Sequence, residues 1–284
     1  FQTSTLAAVV LMVFTANYLS KPDLRSLKFS KSLLQLWLPV LTVVLLIFPS
    51  NLSTAALLFA MVLILAFVAH YPLRYLMTIC GMGLAFVLLF FLLVKAFPGA
   101  FPNRIDTWVS RIENFSSGES DDGNYQVARA KTAIVSGKIF GLGAGKSRMK
   151  NFLPQSSSDF IYAIIVEEFG LLGGIGLILL YLLLLFRIVV IAHNTMNLFG
   201  KLTVIGLGIP IIFQAFINIG VALQVLPVTG QNLPMISSGG TSAWMTCIAM
   251  GIILSVSAKR VIPTETQEEN EISSNPISIL SESH

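Results

Sequence analysis

The stretch SSSDFIYAIIVEEFG, residues 156–170, places Asp159, Glu167 and Glu168 in a segment that is otherwise strongly apolar. Charge is expensive in such surroundings, so each carboxylate needs an explanation. Asp159 reads in two ways. It is a favoured helix N-cap, worth about 1 kcal/mol, a task that Ser156, Ser157 or Ser158 could also perform. Alternatively, it stands at the mouth of a cavity at the outer membrane surface, where it could take a proton from a substrate hydroxyl. Glu167 and Glu168 read as partners for basic residues inside a helix bundle.

Just upstream lies GLGAGKS, Gly141 to Ser147. A phosphate-binding P-loop requires G-x-x-x-x-G-K-[ST]. Phe140 stands where the first glycine is needed, and no strand precedes it. Nucleotide binding is therefore excluded, and no nucleic-acid partner is expected. Lys138, Lys146, Arg148 and Lys150 crowd the same region. Such a cluster either holds an anionic headgroup or pyrophosphate, or forms a solvated loop that touches lipid phosphates.

A second candidate region is LPVTGQNLPMISSGGTS, Leu226 to Ser242. Pro227, Gly230, Pro234, Gly239 and Gly240 oppose a regular helix. Thr229, Gln231, Asn232, Ser237 and Ser238 lie between them. Non-helical backbone at membrane depth survives only when buried in protein or lining water, so a re-entrant or cavity-lining segment is expected. Before it, Gln214 and Asn218 share a helix face, four residues apart. They make either a contact within the bundle or the wall of a wetted cavity. Pro210 is expected to kink that helix.

The elements that must position these residues are membrane helices. The 284-residue chain is 55% hydrophobic and 11% charged, with mean hydropathy +0.80. The apolar residues fall in runs of spanning length, near 4–20, 32–48, 52–69, 73–95, 169–192, 202–224 and 241–257. Basic residues place one side in the cytoplasm: Lys21, Arg25, Lys28 and Lys31 after the first run, Arg74 after the third, Arg187 and Lys201 around the turn after the fifth, and Lys259 and Arg260 after the seventh. The chain then divides into four helices over 1–95, a large outer loop over 96–158, three helices over 159–258 with the outer segment at 225–240, and a disordered cytoplasmic tail over 259–284. Gly170 and Gly174 have the small-xxx-small spacing of close helix packing. Cys80 and Cys247 are expected in the core, with no metal or disulfide role. The chain opens on Phe1 and reads as starting part-way through a larger protein.

With these residues in view, the chain resembles the shape, elongation, division and sporulation (SEDS) family of bacterial membrane proteins, and its cell-division members most. QAFINIGVALQVLPVTGQNLPMISSGGTS, Gln214 to Ser242, is similar to the family's N-I-G-x-x-x-x-x-x-P-V-T-G-x-x-L-P-x-I-S-x-G-G-[ST]-S. Ala128 to Gly170 resembles the family's large outer loop and the helix after it, and FQTSTLAAVVLMVF resembles its fourth helix. The resemblance implies an all-α polytopic fold with seven of ten spanning helices present here. It implies a peptidoglycan glycosyltransferase that polymerises lipid II beside a class B penicillin-binding protein and other division proteins, in the bacterial inner membrane at the septum. The family motif [HS]-x-D-F-[IV]-[FY] falls on Ser157 to Tyr162, so Asp159 inherits the essential carboxylate role.

The same resemblance makes Lys146, Arg148, Lys150, Gln214, Asn218, Thr229, Gln231 and Ser237 substrate-binding candidates. Glu167, Glu168, Pro227, Gly230, Gly239 and Gly240 become structural or regulatory ones. A divalent cation such as Mg²⁺ could assist the leaving pyrophosphate; its ligands are unknown. The chain departs from the family at Asn51, where an acid is common, at Thr3, Thr5 and Ala8 of the opening motif, and at Ser157 and Ser238. Two other classes fit the same residues: a flippase or transporter of lipid-linked precursors, and a non-catalytic division scaffold. A transporter's proton relay would need Glu167 or Glu168 deep in the membrane.

Overall fold

The computed structural model describes residues 3–21, 29–96, 122–153 and 157–258. Arg25, Lys28, the first part of the large outer loop and the tail, with Lys259 and Arg260, lie outside the described residues. Each of the seven apolar runs is helical: α1 (Thr3–Leu19), α2 (Phe29–Ile47), α3 (Leu52–Val68), α4 (Leu73–Ala96), α6 (Ile161–Asn194), α7 (Leu198–Ala222) and α8 (Gly240–Ala258). Five of these are long and apolar enough to cross a membrane; α1 and α3 are shorter, at 17 residues. An eighth helix, α5 (Asp122–Gly137), lies in the large loop. No strand occurs among the described residues.

Local chemistry sets several boundaries. Asn51 caps α3, its Oδ1 accepting from the Thr54 N–H at 3.1 Å. Asn197 caps α7 in the same way through Phe199. Helix α2 widens into a π-turn over Leu33–Trp37, just before Pro39. Trp37 is fully buried there and donates to the Tyr71 hydroxyl, which also bonds Ser32 at 2.6 Å. Arg74 lies in the first turn of α4 rather than in the loop before it.

The central element is α7, which packs on α1, α3, α6 and α8. Helix α4 touches α3 along one edge and leaves Leu84, Leu88 and Leu92 exposed, as expected of a surface that faces lipid. Cys80 of α4 and Cys247 of α8 are free, exposed thiols, not core residues. In a membrane protein an apolar run does not tell inside from outside, because lipid accepts the same residues.

Helix continuity differs between α6 and α7. Helix α7 runs through Pro210 as one element, while α6 breaks at Gly170, where φ is +71°. At 1.5 Å per residue the whole of α6 would measure about 51 Å, against a hydrocarbon core of ~30 Å. The part after Gly170 measures about 36 Å and suffices to span. The leg before the break carries Glu167 and is not needed to reach that length.

Gly170 and Gly174 do not make the expected helix–helix contact. A side-chain carbon at Gly170 would lie 2.2 Å from the Ile139 carbonyl oxygen, and one at Gly174 would meet Val166 and Tyr162 of its own helix. Only a glycine allows the loop backbone this close.

Candidate active site

Asp159 lies in a turn ahead of α6 and is 9% exposed. Phe160, not Asp159, occupies the N-cap position, so helix capping does not account for the acid. The turn is held from two sides. Asn218 of α7, itself buried, donates through Nδ2 to the Asp159 carbonyl at 2.8 Å and to the Gln231 carbonyl at 2.7 Å. Ser237 donates to the Ser158 carbonyl at 2.6 Å and accepts from the Leu233 N–H at 2.7 Å. Ser238 adds bonds from its N–H and hydroxyl to the Ser157 carbonyl.

Beneath the turn, Phe160 is completely buried in a cluster with Val127, Ala130 and Ala133 of α5, Leu153, and Val221 of α7. Helix α5 thus acts as a brace. Its Val127, Ala130, Ala133 and Gly137 recur at helical spacing and form its buried face. That periodicity was present in the sequence, inside a stretch read only as loop.

The outer segment 223–239 is non-helical, as expected, and returns into the bundle. Gln231 is 8% exposed and donates to the Thr54 hydroxyl at 2.9 Å, tying the segment to the first turn of α3. The Tyr181 hydroxyl bonds the Pro234 carbonyl. Gly239 packs against Asn232, so that a side-chain carbon there would lie 2.7 Å from Asn232 Nδ2. Gly240 opens α8 in free space and Pro227 is half-buried. Two buried polar atoms of the site, Asn218 Oδ1 and Thr229 Oγ1, have no partner among the described residues.

Between α1, α3, α7, α8 and this segment lies a cavity of about 110 Å³. Ser4, Thr54, Gln214, Gln231 and Asn232 line it toward the outer end; Met12 and Leu207 line it further in. Gly230 is also part of its wall, and a side-chain carbon at Gly230 would sit 3.8 Å from Asp159 Oδ2. Asp159 does not itself line the cavity; its carboxylate approaches the wall at Gly230.

Glu167 has a different position from Asp159. Its side chain is fully buried and accepts from the Ser136 and Ser147 hydroxyls and from the Arg148 and Met149 N–H groups. Its partners are hydroxyls and backbone, not the basic side chains expected. The break at Gly170 exposes backbone groups that the loop satisfies: Leu142 and Gly143 N–H donate to the Glu167 and Glu168 carbonyls, and Leu171 and Leu172 N–H to those of Lys138 and Ile139. Glu168 is half-buried. The loop carrying Lys146, Arg148 and Lys150 is thus fixed in place while all three cations remain exposed. Ser136 and Thr54 carry no motif signal of their own, and Ser147 reads only as the end of the rejected GLGAGKS match.

Among the described residues, no three His, Cys, Asp or Glu side chains converge.

Fold and site define a polytopic helical membrane protein with a buried acid beside a cavity that is polar at its outer end. The family model described as "Cell cycle protein", covering FtsW, RodA and SpoVE, matches residues 1–261. The chain belongs to this family, the SEDS family that its motifs resemble. It is 30% identical over 266 residues to the probable peptidoglycan glycosyltransferase FtsW of Nitrosococcus halophilus, covering 92% of this chain and 66% of that one. It is 41% identical over 134 residues to stage V sporulation protein E of Bacillus subtilis, covering 47% and 37%. The chain therefore spans about two thirds of the length of an FtsW relative.

Two solved structures share the fold. A chain from a structure titled as the coordination of polymerization and crosslinking by a peptidoglycan synthase complex matches with TM-score 0.70 and 28% identity, over 93% of this chain and 71% of that one. The rod shape determining protein RodA of Thermus thermophilus matches with TM-score 0.58 and 25% identity, over 93% and 67%.

Proposed function

We propose that this chain carries the catalytic centre of a peptidoglycan glycosyltransferase, which polymerises lipid II into glycan strands during bacterial cell division. One observation supports the reading most: a buried acid, on a turn whose backbone is held by Asn218, Ser237 and Ser238, beside a cavity that is polar at its outer end. Family membership and the FtsW relatives support the same chemistry.

The donor sugar is α-linked to undecaprenyl pyrophosphate and the product linkage is β, so one displacement with inversion suffices. The acceptor 4-hydroxyl oxygen attacks the donor C1, and its proton passes to Asp159. The bond from C1 to the pyrophosphate oxygen breaks, and undecaprenyl pyrophosphate leaves with the electron pair. Lys146, Arg148 and Lys150 offset the charge that develops there. Gln214, Gln231 and Thr229 face the sugar and its carrier, while Asn218 and Ser237 position the turn.

In this reading the chain works in the inner membrane at the septum, beside a class B penicillin-binding protein and other division proteins. The synthase complex matched in fold supports a paired arrangement. Glu167 argues against transport. A proton relay needs an acid deep in the membrane, whereas this one anchors an outer loop and lies before the break at Gly170.

The test is strand formation from purified lipid II by the detergent-solubilised protein with its penicillin-binding partner, where no compartments exist. Polymer of several or more disaccharide units is expected. No polymer, under conditions where an established polymerase works, would replace this reading with transport or scaffolding.

A further inference from the structure

The loop that Glu167 anchors has a lower edge that the polymerase reading does not use. On the outward face of α5, Lys131 and Thr132 are exposed near its middle. One turn on, exposed side chains become largely apolar: Val135, in the last turn of α5, is 76% exposed, and Ile139 and Phe140, in the turn that follows the helix, are 56% and 81% exposed. Bare aromatic and aliphatic groups in a row mark a surface that meets something other than water.

The hydrogen bonds fix the height of this edge. The Lys138 and Ile139 carbonyls accept from Leu171 and Leu172 N–H, so Ile139 and Phe140 lie level with the first turn of the spanning part of α6. That turn presents exposed Leu171 and Leu172, with exposed Phe169 just before the break, the beginning of the surface that continues down the helix through Leu179, Leu183 and Phe186. The apolar edge of the loop is continuous with this face. Lys138 and Lys146 are exposed beside it, at the level where lipid phosphates would lie.

We propose that Val135, Ile139 and Phe140 form a wedge that enters the interfacial zone of the outer leaflet, with Lys138 at the phosphate level. An aromatic ring at the headgroup boundary, a cation alongside it and an amphipathic helix above make the pattern of an interfacial anchor. The wedge gives the Glu167 loop a floor. It holds the basic cluster and α5, and through α5 the Phe160 cluster under Asp159, at a set height above the bilayer. The occupant is the phospholipid surface itself.

The test uses the whole chain in nanodiscs, in a Cys80→Ala/Cys247→Ala background. An environment-sensitive fluorophore is placed at Phe140→Cys, at Val135→Cys as an independent second site, and at Lys131→Cys as the reference above the membrane. Lipids brominated high on the acyl chain should quench most of the emission at 140 and 135 and little at 131, while aqueous iodide should show the reverse order. Iodide quenching at 140 and 135 equal to that at 131, without bromolipid quenching, would overturn the proposal. So would protection from both quenchers that appears only when the penicillin-binding partner is present, since that outcome makes the edge a protein interface.

Discussion

Glu167→Ala is the perturbation with the clearest local consequence. The carboxylate is completely buried and holds the loop through Ser147, the Arg148 N–H at 3.1 Å and the Met149 N–H at 3.3 Å, with Ser136 more loosely at 3.4 Å. A hydrogen bond to a charged group contributes roughly 1.5–3 kcal/mol. The bonds to Ser147 and Arg148 are the best placed. The loop is partly exposed, so water can recover part of what is lost, and a net cost of ~2–4 kcal/mol follows. That corresponds to roughly 30- to 1000-fold faster opening of residues 142–151.

The assay is amide hydrogen exchange of the reconstituted protein, read by mass spectrometry on peptides from that loop. Peptides from α7 and α8 serve as controls and should not change. Glu167→Gln keeps one carbonyl acceptor for the Arg148 and Met149 N–H groups and loses the charge. It should lie between wild type and alanine, near 1 kcal/mol or roughly 5-fold. Unchanged exchange over 142–151 in Glu167→Ala, with the protein folded, would refute the clamp.

Three further expectations follow from the same geometry. Gly170→Ala forces a side-chain carbon to within 2.2 Å of the Ile139 carbonyl oxygen at a φ of +71°; it should cost several kcal/mol (order of magnitude) and abolish monodisperse protein in size-exclusion chromatography, whereas Gly176→Ala, with nothing within 4 Å, should be neutral or stabilise by about 1 kcal/mol. Asn218→Ala removes the bonds that join the Asp159 and Gln231 carbonyls; strand formation should fall at least about tenfold, with kcat lowered more than KM is raised, as expected for a lost positioning group. Lys146→Glu reverses an exposed charge without touching the core; it should raise KM for lipid II, and added salt should narrow its difference from wild type, because exposed charges are screened.

The parts of this structure that were legible in the sequence share a cause. Membrane helices announce themselves by the length of their apolar runs, since lipid forces the backbone to satisfy itself locally. The outer segment announces itself by Pro227, Gly230 and Pro234, which act on their own backbone. What stayed hidden depends on pairs distant in the chain. The break at Gly170 reads as a packing glycine until Lys138 and Ile139 are seen bonding across it. Glu167 reads as half of an ion pair because Ser147 and a bare N–H leave no pattern. Cys80 looked like core because hydropathy alone does not separate a lipid face from a protein one. Asp159 stands out by its motif, but that Phe160 rather than Asp159 takes the cap position is seen only in the structure.

The central claim is that Asp159 takes the acceptor proton. Asp159→Asn keeps the size of the side chain and removes the base, and the backbone bond from Asn218 to residue 159 does not depend on the substitution. The decisive measurement is strand formation from purified lipid II by wild type and Asp159→Asn, each with the penicillin-binding partner, each shown to be folded and to bind lipid II equally. The account predicts polymer from wild type and a loss of at least about a hundredfold in the variant. Equal polymer from both would contradict it and leave Asp159 as a structural residue of the turn.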